Sequence, residues 1–170
     1  GRCLEICPQN AKKFASDMDR VRGYLRQGYK TIISIAPSYL GVLEFDYPGQ
    51  VVDALHRLGF AEVRETAEGA AMVTGEYKKI IREKKMDNII TTCCPSVNDL
   101  VEKYYPDCVH LLAPVVSPMV AHGRYIKKLY GNDVKVVFLG PCIAKKQEAA
   151  GDERVSGAID AILTFEELAL

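Results

Sequence analysis

The stretch Val134-Lys-Val-Val-Phe-Leu-Gly-Pro-Cys142 decides the fold. Val134 to Leu139 is a short, strongly apolar run stopped by a Gly-Pro break, and it reads as a buried strand. Strands without polar alternation belong in a parallel sheet covered on both faces. The chain leaves this strand at Gly140-Pro141 and meets Cys142 at once.

The same grammar recurs outward from it. Thr31 to Ala36 is another apolar, β-branched run, halted at Pro37. Asn88 to Thr92 reads as a strand running into Cys93-Cys94-Pro95, and Ile159 to Leu163 as the last strand. Ala61 to Arg64 and Val109 to Leu112 are shorter strand candidates. Helical spacing fills the intervals. Residues 10–27 carry Phe14, Met18, Val21 and Leu25 on one face. Gly49 to Leu58 is closed by Gly59, and Ala67 to Lys85 is long. Val97, Leu100, Val101 and Tyr104 mark one face of a further helix; Ser117 to Leu129 and Thr164 to Leu170 complete the set. Strands alternating with helices predict an α/β fold, a mainly parallel sheet with helices on both faces. In such sheets the functional site lies at the carboxyl ends of the strands.

Bulk composition narrows the function. The 170 residues carry 22 basic and 22 acidic side chains. A balanced charge gives no reason to expect a nucleic-acid or anionic-membrane partner, since both require a basic excess. No apolar run approaches the roughly 20 residues of a membrane span. The chain begins with Gly1 and ends inside a helical pattern, so it reads as a piece of a longer protein. The six cysteines are Cys3, Cys7, Cys93, Cys94, Cys108 and Cys142. A chain this rich in Val, Ile and Leu needs no disulfide framework, and adjacent cysteines such as Cys93 and Cys94 pair poorly with each other. Reduced thiols or metal-bound thiolates are the better reading, which places the protein in the cytoplasm.

Three strand ends look alike: Ala36-Pro37-Ser38, Cys93-Cys94-Pro95 and Gly140-Pro141-Cys142. If the strands are parallel neighbours, the three turns meet at one edge of the sheet and Cys94 faces Cys142. Each cysteine opens a helix, where unpaired N–H groups and the positive end of the dipole favour a thiolate. Converging thiolates suit an iron–sulfur cluster; the bland alternative is a pair of inert buried thiols. Cys3-Leu-Glu-Ile-Cys7-Pro8 adds C-x3-C-P, the closing part of a bacterial ferredoxin run. His56, His110, His122 and Cys108 read as ordinary packing or rim residues.

These pieces, taken with Ser16-Asp-Met-Asp-Arg-Val21, Ala54-Leu-His-Arg-Leu-Gly-Phe60, Tyr104-Tyr-Pro106, Ser117-Pro118, Pro141-Cys-Ile-Ala-Lys-Lys-Gln-Glu148 and Ile159-Asp-Ala-Ile-Leu163, resemble the catalytic domain of the iron-only hydrogenase large subunit, in its N-terminal portion. The resemblance divides the chain into a ferredoxin-like remnant, residues 1–9, and the hydrogenase-like part, residues 10–170. It implies a 4Fe–4S cluster joined through a cysteine to a di-iron centre carrying CO and cyanide. By that likeness Cys93 relays protons, Cys94 and Cys142 bind the 4Fe–4S cluster, Lys145 bonds a cyanide and Glu148 belongs to the proton path. Ala36, Pro37, Ser38 and Pro141 line the di-iron pocket, and Cys3 and Cys7 belong to a separate ferredoxin-type cluster. The adjacent cysteines thus divide the work, one holding metal and one moving protons.

Several positions depart from the family pattern. Gly140 stands in place of a methionine, Val97 of a tryptophan, Ala113 of a proton-path serine and Val116 of a lysine; Glu76 lies near an expected glutamate but out of register. The third cysteine motif has no counterpart before Leu170, so this chain alone is expected to hold an incomplete site. The implied partners are molecular hydrogen, protons and a redox partner or downstream signalling domain. The implied functions are hydrogen turnover, hydrogen sensing or, alternatively, a non-catalytic role in iron–sulfur cluster assembly or electron transfer.

Overall fold

Thr31–Ile35 (β1) and Lys135–Leu139 (β3) form the two central strands because neither leaves a side of itself for water. All five residues of β1 are buried, as are four of five in β3. They pair in parallel, from Thr31 opposite Lys135 to Ile35 opposite Leu139. Glu62–Glu65 (β2) joins the outer edge of β1, and Ala161–Leu163 (β4) joins β3, giving one parallel sheet of order β2-β1-β3-β4. The computed structural model describes residues 6–9, 11–151 and 155–169.

Alternation along the strands sorts two cores. Ile33, Ile35, Val137, Leu139 and Leu163 pack on one face with Val21 of Met18–Arg26 (α1), Val51 and Leu55 of Gly49–Arg57 (α2), and Phe165 of Phe165–Leu168 (α7). Ile32, Val136, Phe138 and Ile162 pack on the other with Met119, Val120 and Ile126 of Pro118–Tyr130 (α5). Ala67–Arg82 (α3) lies against α5, and their backbones nearly touch at Gly69. A β-carbon there would sit 2.2 Å from the Pro118 carbonyl oxygen. The expected α/β architecture, with helices on both faces of a parallel sheet, is therefore present. Pro95–Tyr104 (α4) and Ala144–Gly151 (α6) complete the helices, with short 3-10 helices at Pro37–Gly41 and Pro106–Leu111.

Three expectations change. Residues 88–92 and 109–112 add no strands to the sheet; Ile90 pairs with Leu112 in a single parallel bridge. The reason lies at Pro106, which opens a 3-10 helix whose N–H groups are satisfied internally, as in Cys108 N–H to Tyr105 O and Leu112 N–H to Val109 O. Little backbone remains there for a ladder. The first helix starts at Met18, not residue 10, because Asp17 is tied to the sheet: its Oδ2 accepts the Ile162 N–H at 2.9 Å, capping the outer edge of β4. The final helix is a single capped turn in which Thr164 and Glu167 exchange hydrogen bonds.

One polar cluster is buried between sheet and helices. His122 on α5 is fully buried, its Nδ1 2.8 Å from Ser34 Oγ, which in turn lies 2.8 Å from Thr66 Oγ1. Among the described residues Nε2 has no hydrogen-bond partner; it faces Glu68 Oε1 at 3.9 Å, with Arg64 bonded to that same glutamate. Burial holds the His122 pKa below its ordinary value of 6.5, outweighing the upward pull of Glu68, while Arg64 adds a downward push. The unfolded chain therefore takes up a proton near pH 6.5 that the folded chain refuses. His122 contributes full stability above that pH and loses it as pH falls toward the depressed folded value. Thermal unfolding should show the melting temperature dropping between pH 7 and pH 5, with a shallower drop in His122→Phe. At the helix crossing, Gly69→Ala should cost about 1–3 kcal/mol in urea unfolding, as overpacking against backbone does.

Candidate functional site

The carboxyl ends of β1 and β3 lie side by side because their register runs to the last residue. The Ala36 N–H donates to Leu139 O at 2.8 Å, and the Gly140 N–H donates to Leu163 O at 3.1 Å. This sets the Ala36-Pro37-Ser38 and Gly140-Pro141-Cys142 turns next to each other, with Ala36 buried and Pro37, Ser38 and Pro141 exposed. Gly140 occupies a crowded spot. A β-carbon there would lie 2.8 Å from the Phe138 ring and 3.1 Å from Ala36 Cβ.

Cys93-Cys94-Pro95 does not follow a strand of the sheet, which corrects the picture of three matched strand ends. It reaches the site by helix packing instead, α4 lying against α6. The bond that fixes the meeting is made by Lys145, near the start of α6. Its Nζ donates to the Cys93 carbonyl at 3.0 Å and to Glu148 Oε2 at 2.6 Å. Both side chains of the ion pair are only 12% exposed. Lys145 thus clamps the cysteine turn onto the helix that follows Cys142. Cys94 is the N-cap of α4, with extended backbone and Pro95 as the first helical residue, a start for which proline's fixed φ is suited. Its carbonyl accepts the N–H groups of Val97 and Asn98. Cys93 is exposed; Cys94 and Cys142 are half-buried thiols.

The turn is also held from behind, through Thr92. This residue is buried, and its N–H donates to the Tyr77 hydroxyl at 2.9 Å. Its carbonyl accepts from Asn98 Nδ2 at 3.2 Å, and its own hydroxyl donates to the carbonyls of Val115 and Ala113. Sequence reasoning missed this cradle. Asn98 had a local signal, an amide one turn into the helix behind the cysteines. Tyr77 had none, because its contact is made by tertiary packing. A cleft of about 450 Å³ opens beside the cradle, lined by Thr92, Asn98, Glu102, Ser117 and Glu148.

A 4Fe–4S cluster takes four cysteine thiolates. Cys94 caps α4 and Cys142 lies two residues before α6, so theirs are the thiols that would be offered to two of those positions. Among the described residues no group of three or more His, Cys, Asp or Glu is placed to hold a metal ion. Cys7 is half-buried in the short described segment 6–9, and Cys3 lies outside the described residues. Cys108 is half-buried beside Val109 in the 3-10 helix, away from any role assigned by sequence.

Residues 29–170 match the family described as "Iron only hydrogenase large subunit, C-terminal domain". The matched unit is the C-terminal domain of that subunit, where the sequence reading had expected an N-terminal portion. Iron hydrogenase 1 of Clostridium pasteurianum is 32% identical over 185 residues, covering 95% of this chain and 32% of that protein. The periplasmic Fe hydrogenase large subunit of Nitratidesulfovibrio vulgaris is 34% identical over 138 residues, covering 71% and 32%. Among solved structures, a glutamate-to-glutamine variant of the FeFe-hydrogenase HydA1 from Chlamydomonas reinhardtii superposes with a TM-score of 0.73 at 26% identity, covering 91% of this chain and 46% of the other. The chain spans about a third of the length of the curated relatives it matches.

Removing the clamp should be costly. Lys145→Met leaves a poorly exposed carboxylate and the Cys93 carbonyl without their donor, an expected loss of about 1–3 kcal/mol in urea unfolding. Adding Glu148→Gln to Lys145→Met should recover part of that loss, because the unpaired charge is gone.

Proposed function

The chain belongs to the iron-only hydrogenase large-subunit family, and from that premise we propose that it forms part of a hydrogen-handling site, built where the Cys93-Cys94 and Pro141-Cys142 turns meet. The observation that carries this reading is the Lys145 bridge between the Cys93 carbonyl and Glu148. It joins the two motifs from which such a site would be assembled. Cys94 and Cys142 would supply two thiolates to a 4Fe–4S cluster. A di-iron centre, if bound there, would supply the chemistry that interconverts hydrogen with two protons and two electrons. The rest falls to side chains of this chain. Cys93 is exposed and is not assigned to metal, so its thiol is available to accept or deliver a proton. Glu148 lines the cleft of about 450 Å³ and offers a carboxylate between that cleft and Lys145. Lys145 presents a half-buried cation here and orients both partners. Ala36, Pro37, Ser38 and Pro141 would wall the pocket at the ends of β1 and β3.

Within this reading the protein either turns over hydrogen or senses it, passing electrons to a redox partner or a signal to an attached domain. This reading carries with it reduced or metal-bound thiols at Cys93, Cys94, Cys108 and Cys142, and hence a reducing cytoplasm. No helix among the described residues is long and apolar enough to cross a membrane.

A second reading, a non-catalytic iron–sulfur protein acting in cluster assembly or electron transfer, is favoured by Gly140. The Phe138 ring fills the space into which a side chain at 140 would reach, so no methionine covers the di-iron pocket from that side. One measurement separates the two. The protein in its full natural length is produced anaerobically with hydrogenase maturation factors, and its infrared spectrum is recorded. Sharp CO and cyanide bands that shift under hydrogen are expected. Iron–sulfur absorption without such bands would sink the hydrogen-handling reading in favour of the second. Anaerobic reconstitution of residues 1–170 alone should give well under one 4Fe–4S cluster per chain, by iron and sulfide analysis.

A further inference from the structure

The Thr92 hydroxyl has one proton, shared between two carbonyls, that of Val115 and, more distantly at 3.2 Å, that of Ala113. The Val115 carbonyl can only accept, so the Thr92 hydroxyl donates to it. Thr92 Oγ1 is then the acceptor for the Tyr77 hydroxyl, 3.3 Å away. The Tyr77 oxygen in turn accepts the Thr92 N–H at 2.9 Å. The result is a directed chain: Thr92 N–H to Tyr77 O–H, Tyr77 O–H to Thr92 Oγ1, Thr92 O–H to Val115 O. The Thr92 carbonyl is taken separately by Asn98. Both backbone polar groups of Thr92 are therefore bound by side chains from two different helices, α3 and α4. The residue so fixed stands immediately before Cys93, and neither side chain is required by the N-cap that Cys94 makes for α4.

We propose that Tyr77 is a positioning residue for Cys93: its hydroxyl fixes the peptide at Thr92 and thereby sets the direction in which the Cys93 side chain leaves the turn. Lys145 holds the carbonyl on the far side of Cys93 at 3.0 Å. The cysteine is thus pinned through the backbone on both sides while its thiol stays exposed. That is the arrangement expected of a group that must meet a reactant at a fixed distance. The functional weight of this inference rests on Cys93 being the proton-carrying thiol, but the geometry can be tested without any metal.

The test compares the wild-type chain with Tyr77→Phe and, as a packing control, Ile80→Val. Ile80 is buried one turn further along α3. Hydrogen exchange at the Thr92 amide and iodoacetamide labelling of Cys93, resolved from Cys94 by fragment ions, are measured on the reduced protein at one pH. Tyr77→Phe should raise Thr92 exchange by roughly five- to tenfold, the worth of one hydrogen bond, and change the Cys93 labelling rate. Exchange in β1 and β3 should stay unaltered, and Ile80→Val should move neither readout. Equal effects from the two variants, or an unchanged Thr92 amide in Tyr77→Phe, would overturn the proposal. If Tyr77→Phe does not fold, wild-type exchange decides: a Thr92 amide no better protected than the neighbouring Thr91 amide would overturn the proposal. In the full-length, metal-loaded protein Tyr77→Phe should lower kcat for hydrogen oxidation and leave KM for hydrogen unchanged. A wild type without hydrogen turnover would defeat the functional reading alone, since the exchange and labelling results stand without it.

Discussion

The pairing of β1 with β3 governs this structure. The two strands are remote in sequence, yet their register is complete, and their side chains supply the middle of both cores. Parallel strands end at the same edge of a sheet. Once Ile35 stands opposite Leu139, the Ala36 and Gly140 turns must emerge together, and Cys142 must start its helix beside them. The site is a by-product of strand register before it is anything chemical. Burial on both faces makes that register hard to slip, since a one-residue shift would turn Ile33, Ile35, Val137 and Leu139 toward the wrong core.

The second ingredient is a helix–helix contact. Cys93 and Cys94 stand off the sheet, at the end of a segment held by the single Ile90–Leu112 bridge. Their position is therefore set by polar groups: Lys145 from in front, Tyr77 and Asn98 from behind. A sheet edge sets position through many weak, cooperative bonds. A turn anchored by three side chains depends on each of them. Substitutions around the cysteine turn should thus act locally, whereas substitutions in β1 or β3 act on the whole domain.

This difference explains what the sequence could convey. Thr31 to Ile35 and Val134 to Leu139 were legible because burial on two faces leaves a dense apolar signature, and Pro37 and Pro141 mark where each run stops. The cysteine turns were legible through their motifs. Residues 88–92 and 109–112 misled, because their apolar runs resemble sheet strands while Pro106 commits the backbone nearby to a 3-10 helix. The early start expected for α1 failed because Asp17 is used at the edge of β4, a role that leaves no periodic trace. The polar side chains that finish the site were the least visible. Tyr77 looks like any helical tyrosine until α3 is laid beside the cysteine turn. His122 read as an ordinary core or rim residue, yet one of its ring nitrogens is left without a partner among the described residues.

Phe138 and Gly140 point the same way from β3 and compete for one volume. The two positions are in effect a single choice. With the Phe138 ring where it stands, any side chain before Pro141 would have to displace it. A chain that places a large residue there must first give up the ring. The ring and the residue before Pro141 thus share in shaping the wall beside one cysteine.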